Sequence, residues 1–218
     1  KTCTGTPITF TITVIPAPTV AAVTNKVVCD AGNVAAISFS GTVTGTVFSW
    51  TNSNTSIGLA ASGTGTIAAF TATNIGNTPE VATITVTPQI TSGGVTCSGT
   101  PTTFTITVNP VPTVNAVANQ TICNGEQGLG IVFTGPVTGT VYNWTNSTPS
   151  IGLAATGTGN IPAFIGTNTG TAPVTATTTV TPRYTNAAVP CTDIDRAAQQ
   201  PQASSPGACV ALHTPEGL

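Results

Sequence analysis

The sequence has very little charge. It contains four Lys or Arg and six Asp or Glu in 218 residues, a charged fraction of 5% and a formal net charge of −2. Nucleic acids and anionic membrane surfaces are bound by clusters of Lys and Arg, so four basic residues argue against both partners. No apolar run approaches the roughly 18 residues that a membrane helix needs. We therefore expect no nucleic-acid partner and no membrane insertion.

Residues that carry catalysis or bind metals are also scarce. His213 is the only histidine, and the cysteines form no CxxC pair, so neither a zinc site nor a Ser-His-Asp arrangement is expected. Calcium needs clustered carboxylates, whereas Asp30, Glu80 and Glu126 are scattered; a backbone-rich cation site near Asp30 or Glu126 is left open. We predict no enzyme activity, no cofactor and no metal site.

Threonine, other β-branched residues, glycine and proline dominate what is present. There are 23 Gly and 17 Pro but no Met, and apolar residues alternate with threonine, as in "TFTITV". This alternation places Phe104, Ile106 and Val108 on one face of a strand and threonines on the other. The pattern predicts an all-β protein rich in turns.

A repeat of 94 residues organises the chain. Cys3, Cys97 and Cys191 are spaced by 94 residues, and so are Cys29 and Cys123. The same step joins Pro16 to Pro110, Phe39 to Phe133, Trp50 to Trp144 and Pro88 to Pro182. This gapless register indicates a tandem array of one module, and its length suits a small domain rather than a solenoid coil.

Each module reads as short strands between turn signals. Roughly seven strands in about 95 residues predict a two-sheet immunoglobulin-like sandwich. Consecutive modules are joined by Pro-x-Pro at 16–18 and 110–112. Proline fixes φ and stiffens so short a link, so we expect an extended rod.

The register divides the chain into four parts. Residues 1–15 are predicted to be the last strand of a preceding module, 16–109 a first module, and 110–192 a second module that lacks its final strand. Residues 193–218 have no alternation and are a divergent natural end, a disordered tail or added sequence.

The N-terminal segment "TPITFTITV" matches the strand that the second module lacks. We hypothesise that residues 6–15 of one molecule complete the second module of another by strand addition, with Phe10, Ile12 and Val14 as the donated side chains. Repeated head to tail, this contact would build a filament from copies of the chain.

The six cysteines are far apart in sequence, which favours disulfides in an oxidising, extracytoplasmic setting. We predict pairing within each module, across 68 residues, with each bond contributing roughly 4 kcal/mol through chain entropy. The predicted pairs are Cys29 with Cys97 and Cys123 with Cys191. Cys3 is left over, because its partner would lie in a preceding module. Cys209 either has no role or pairs with Cys3 of another molecule.

The aromatic and glycine-rich segments are interpreted as scaffold. Alternation in "TVYNWTN" puts Tyr142 and Trp144 on one face, which is typical of a sandwich core, although a sugar-stacking platform is the alternative. The glycine-rich piece 155–160 lacks a phosphate-loop pattern and a nearby Lys or Arg, so it is predicted to be a turn or bulge. The predicted core anchors are Trp50, Trp144, Phe39 and Phe133.

The blocks "WTNS", "SIGLAATGTGNIPAF", "ATTTVTP" and "CSGTPTTFTITVNP" resemble the PKD-like repeats of very large surface adhesins from gliding Bacteroidetes. The resemblance covers about residues 1–192. It implies a non-catalytic stalk segment of a cell-surface filament, exported by type IX secretion and serving cell adhesion and gliding motility. The expected location is extracellular, at the bacterial cell surface, and neighbouring modules are the expected partners. The alternative is a β-sandwich module that binds a carbohydrate or a surface.

Overall fold

A computed structural model describes residues 1–192 of the chain. These residues form β-strands and two short 3-10 helices, and no α-helix occurs among them, which confirms the all-β prediction. Within the same residues, no helix is long and apolar enough to span a membrane. The predicted tail 193–218, with Cys209 and His213, lies outside the described residues.

The first repeat (16–109) contains a six-stranded sheet. The repeat as a whole has eight strands and a 3-10 helix at Thr55–Ile57. The strands are β1 (Lys26–Cys29), β2 (Asn33–Val34), β3 (Val47–Asn52), β4 (Ser62–Thr64), β5 (Phe70–Thr71), β6 (Glu80–Ser92), β7 (Val95–Ser98) and β8 (Thr102–Asn109). The sheet order is β1-β8-β6-β3-β4, with β7 also paired to β6, while β2 and β5 form a separate ladder. Every pair is antiparallel except β1 with β8.

Strand β8 lies inside this sheet, between β6 and β1, and supplies much of the core. Its alternating residues Phe104, Ile106 and Val108 are at most 2% exposed, as the threonine alternation predicts. Phe104 lies opposite Ile84 on β6, which is fully buried. They belong to a cluster of thirteen buried residues that also contains Trp50.

The second repeat (110–192) contains a four-stranded antiparallel sheet. Its strands are β9 (Val141–Asn146), β10 (Thr156–Thr158), β11 (Thr178–Asn186) and β12 (Val189–Thr192), with a 3-10 helix at Pro149–Ile151. The sheet order is β10-β9-β11-β12. Its core cluster has five buried residues, Phe133, Tyr142, Trp144, Leu153 and Ile161.

The 94-residue register is kept in three dimensions at the strands that carry the two tryptophans. Trp50 lies opposite Gly63 in the first repeat, and Trp144 lies opposite Gly157 in the second. The positions equivalent to β8 fall after Thr192, outside the described residues, so the prediction that the second repeat lacks its final strand stays a prediction. Without that strand among the described residues, the second core is smaller than the first.

The disulfide pairing differs from the prediction. The structure joins Cys29 to Cys191, with a Cα–Cα distance of 5.6 Å, and leaves Cys97 and Cys123 as free thiols. The reason is the length of β8. Cys29 pairs with Asn109 at the C-terminal end of that strand, whereas Cys97 precedes its N-terminal end. Seven residues of strand span about 23 Å, far beyond the roughly 6 Å that a disulfide bridges.

The bond therefore connects the two repeats. A hydrogen bond lies at the same junction, where the Asn186 Nδ2 donates to the Asn109 Oδ1 at 2.9 Å. Strand β1 of the first repeat thus contacts β12 of the second through the disulfide, and β8 contacts β11 through the hydrogen bond. Pro110 and Pro112, which connect β8 to the second repeat, are fully buried.

Candidate functional site

The three acidic residues of the two repeats serve as hydrogen-bond acceptors. Within residues 1–192, no group of three or more His, Cys, Asp or Glu is placed to hold a metal ion. Each of the three acids in the two repeats accepts a hydrogen bond from a nearby amide. The pairs are Asp30 with the Asn74 backbone N–H at 2.7 Å, Glu126 with the Cys123 N–H at 2.9 Å, and Glu80 with the Asn54 Nδ2 at 2.7 Å.

The predicted core anchors lie in the two cores. Trp50 and Trp144 are 7% and 5% exposed, and Phe133 is also buried. Phe39 is half-buried, and its ring centroid lies 5.9 Å from that of Phe48. Both tryptophans therefore stack on protein, which leaves no indole face at the surface for a sugar.

The glycine-rich segment of the second repeat forms part of that packing. Gly157 lies under the Trp144 ring, where a Cβ would come within 2.2 Å of Cζ2. Gly159 has φ +78° and donates its N–H to the Tyr142 carbonyl at 2.7 Å, which continues the ladder between β9 and β10 by one residue. Residues 156–158 therefore form the edge strand β10, which packs against the tryptophan, so the prediction of a turn or bulge is wrong for these three residues.

One aromatic residue is exposed. The chain has two Trp, two Tyr and seven Phe, all among the described residues, and ten of these eleven are buried or half-buried. The exception is Phe10, at 83% exposed. An aromatic cluster of the kind that binds polysaccharides is therefore missing from the surface of residues 1–192.

Phe10 belongs to an exposed apolar segment. Residues 1–15 form no strand, and Ile8, Phe10, Ile12 and Val14 are 80–91% exposed. The same six letters, "TFTITV", lie in β8 at 103–108, where the Phe, Ile and Val side chains are buried. The same sequence thus occurs in two environments. In the first repeat it is a strand of the sheet, and at residues 9–14 it belongs to no sheet.

The second repeat has a matching sheet edge, beside which the structure describes no strand within residues 1–192. In the first repeat Ala82, Ile84 and Val86 on β6 are fully buried, and β8 pairs with this stretch of β6 in the same sheet. Their equivalents Ala176, Thr178 and Val180 are only half-buried, and Val174 at the same edge is 46% exposed. Among the described residues, Thr178 and Val180 pair with β9 on one side and have no strand on the other.

The free thiols occupy the same local structures as the bonded ones. Cys123 begins a turn in which the Glu126 N–H donates to its carbonyl, as the Gly32 N–H does to that of Cys29. Cys97 pairs with Ile90 in the β6–β7 hairpin, and Cys191 pairs with Tyr184 in the β11–β12 hairpin. Cys123 and Cys97 are therefore the structural equivalents of Cys29 and Cys191.

Comparison with protein-family models finds no match, and comparison with curated proteins finds none either. What this chain does is therefore inferred from its own geometry, in which a covalent junction, a free apolar segment and a matching sheet edge stand out.

Proposed function

We propose that the chain is a non-catalytic stalk segment of a bacterial cell-surface adhesin, built from tandem PKD-like, immunoglobulin-type sandwich modules in an extended rod. The observation that carries this proposal is the disulfide between repeats, Cys29–Cys191. A bond inside one domain stabilises that domain, whereas a bond across a junction holds two units at a fixed orientation. Stiffness between units is what a stalk requires.

The bond also protects the chain from a pulling force. Its sequence separation is 162 residues, so tension applied at the two termini passes through the sulfur atoms and bypasses the residues between them. The two cores inside this loop, around Trp50 and Trp144, bear no stretching load while the bond is intact. The buried Pro110 and Pro112 stiffen the same junction from within the loop.

An extracellular location at the bacterial surface fits this role. Disulfides persist in oxidising compartments, and an inter-repeat bond is useful only where it stays oxidised. The resemblance of the repeats to those of gliding adhesins supports the same location. Partners are then neighbouring modules or further copies of the chain, with no nucleic acid and no membrane insertion.

Single-molecule stretching tests the proposal. With the disulfide intact, pulling on the termini should extend only the residues outside Cys29–Cys191. Reduction should add the enclosed 162-residue span, which is about 570 Å of chain at roughly 3.5 Å per residue. The Cys191→Ser variant should release this length without a reductant. Release of the full length from the oxidised protein would contradict the proposal.

A polysaccharide-binding role is tested separately by a panel of polysaccharides in pull-down. Because the tryptophans are buried and Phe10 is the one exposed aromatic, we expect no binding that depends on Trp144. Binding that Trp144→Ala removes without unfolding the second repeat would refute the core assignment and favour a binding module.

A further inference from the structure

Strand β8 is held in the first repeat by three polar contacts in addition to its two ladders. The Thr105 N–H donates to the Asn25 Oδ1 at 2.9 Å. The Asn74 Nδ2 donates to the Val108 carbonyl at 2.7 Å. The Asp30 N–H donates to the Asn109 carbonyl at 2.9 Å. These contacts fix the register of the strand as well as its position.

The second repeat carries the same receptor groups 94 residues later. Asn119 and Asn168 replace Asn25 and Asn74 with the same residue type, and Asn124 stands at the place of Asp30, whose contact uses only the backbone N–H. The strand that these groups would hold is not among residues 110–192.

Asn168 is already in the conformation that receives a strand. Its Oδ1 accepts the Gly170 N–H and its Nδ2 donates to the Ala172 carbonyl, both at 2.9 Å. Its own N–H donates to the Asn124 Oδ1 at 2.9 Å. Asn74 makes the corresponding contacts beside β8, so the receiving loop is built before a strand arrives.

We propose that residues 8–15 of a second copy of the chain add to the second repeat as a β-strand, in the place that β8 takes in the first. The proposal rests on the stalk function and deepens it, because it supplies the contact that lengthens the stalk. The donated segment matches β8 letter for letter over "TFTITV", at 9–14 and 103–108. Strand addition to an open sheet edge satisfies backbone groups on both partners.

The register follows from the ladder of β8 with β6. Phe10 of the second copy lies opposite Thr178, Ile12 opposite Ala176 and Val14 opposite Val174. These three apolar side chains leave water and fill the core beside Val180, which is half-buried without them. Residues 1–5 of the second copy turn away from the sheet, because β12 already occupies that part of the edge.

The contact places two thiols together. Residues 8–15 lead through Pro16 and Pro18 into their own first repeat, as β8 leads through Pro110 and Pro112 into the second. The first repeat of the second copy then follows the second repeat of the first copy in the same arrangement that the two repeats have within one chain. Cys123 of one copy and Cys97 of the next take the places of Cys29 and Cys191.

Oxidation of this pair would lock the filament. Two thiols and one glutathione disulfide give one protein disulfide and two glutathione thiols, so that the low-molecular-weight disulfide accepts the two electrons and two protons. Both Cys97 and Cys123 are free thiols in the structure and available for this exchange.

The first test is the size of the full-length protein over a range of concentrations, measured by light scattering and sedimentation velocity. The wild type should form head-to-tail oligomers, and Ile12→Asp should be monomeric because it puts a charge into the receiving core. Thr9→Asp is the matched control, since Thr103 at the equivalent place is exposed, and it should still assemble. The segment is free of the fold, so neither variant unfolds the monomer, which circular dichroism checks.

Mixing gives the direction of assembly. The Ile12→Asp chain can receive a strand but cannot donate one, so adding it to the wild type should shorten the oligomers. A wild type that is monomeric at every concentration would overturn the proposal. This holds whether residues 193–218 of the same chain or no segment at all covers the sheet edge of the second repeat. A monomer whose Cys29–Cys191 bond and stretching response are intact would reject assembly and leave the stalk function standing.

The second test traps the contact. In a Cys3→Ser, Cys209→Ser background, glutathione disulfide should yield chains linked through Cys123 and Cys97, identified by mass spectrometry of proteolytic fragments. Cys123→Ser and Ile12→Asp should each abolish the link. Links between two copies of Cys97, or links that persist in Ile12→Asp, would contradict the proposed geometry.

Discussion

The indole ring of Trp144 lies against Gly157 on the neighbouring strand, so close that any larger residue at 157 would displace the ring or the strand. A Cβ on Gly157 would come within 2.2 Å of the ring, and the equivalent contact of Gly63 with Trp50 measures 2.3 Å. The two residues are directly opposite each other in both repeats. An aromatic ring thus covers the backbone of a facing glycine on an edge strand, a pairing that stabilises strands with little side chain of their own.

Gly157→Ala should therefore destabilise the second repeat. The added methyl group forces the buried Trp144 ring out of place, and such overpacking costs about 1–3 kcal/mol. Urea denaturation followed by tryptophan fluorescence measures the loss. Gly63→Ala should act in the same way on the first repeat, whereas Thr156→Ala, at an exposed position of the same strand, should change stability little. Equal effects of Gly157→Ala and Thr156→Ala would contradict the packing described.

Much of this scaffold could be predicted from sequence because its signals are local. Alternation in "TFTITV" identified the buried face of β8, and the shared step of 94 residues placed Trp50 and Trp144 at the same position of two sheets. The contact of Trp144 with Gly157 has a weaker signal. A glycine between threonines indicates a turn as readily as a site of close ring packing.

The disulfide could not be predicted, for a reason inherent in repeats. In a periodic array every cysteine has equivalents one period away, so separations of 68 and 162 residues describe the same two positions in the repeat. Sequence gives the positions, but it does not say whether the partner lies in the same copy or in the next. The length of β8 determines the partner of Cys29. It keeps Cys97 away from Cys29, and it places Cys29 at the junction between the repeats, where Cys191 lies.

Disulfide mapping should find Cys29 linked to Cys191 within one chain. By chain entropy, closing a loop of 162 residues contributes about 5 kcal/mol to the stability of the whole chain. Cys191→Ser should remove that contribution, and Cys97→Ser, which removes a free thiol, should not. Denaturation with and without reductant measures both. Fragments joining Cys29 to Cys97 would show that the bond lies within the first repeat instead.

The turn of the β11–β12 hairpin has a strained backbone, whereas the equivalent β6–β7 turn of the first repeat does not. Ala187 and Ala188 have φ +48° and +62°, and the equivalent residues of the β6–β7 hairpin are Gly93 and Gly94. Residues with a Cβ lose about 1–2 kcal/mol each in this region, part of which glycine gives back through its greater freedom when unfolded. Ala187→Gly with Ala188→Gly should therefore raise the stability of the second repeat by about 1 kcal/mol.

Thermal denaturation of the double glycine variant tests this, with Gly93→Ala and Gly94→Ala as the reverse experiment in the first repeat. Those two substitutions have open space around the added Cβ, so any loss of stability comes from the backbone alone. A lower melting temperature for the Ala187→Gly, Ala188→Gly protein would contradict the strain.

Asn74 and Asn168 have the same local contacts but different burial. Comparing their substitutions therefore separates the stability that comes from the contact with β8 from the stability that comes from the turn. Asn74 is 4% exposed and donates to the Val108 carbonyl as well as to Thr78, whereas Asn168 is half-buried and donates to Ala172. Asn74→Ala leaves a buried strand carbonyl without its donor, at a cost of about 1–3 kcal/mol.

Asn168→Ala gives up hydrogen bonds that water can replace, so it should cost about 0.5–1 kcal/mol in the monomer. Urea denaturation of both variants at low protein concentration compares the two losses. In conditions where the wild type assembles, the cost of Asn168→Ala should rise towards that of Asn74→Ala, because the donated strand would bury it. Losses that are equal in the monomer would mean that the edge of the second repeat is already covered.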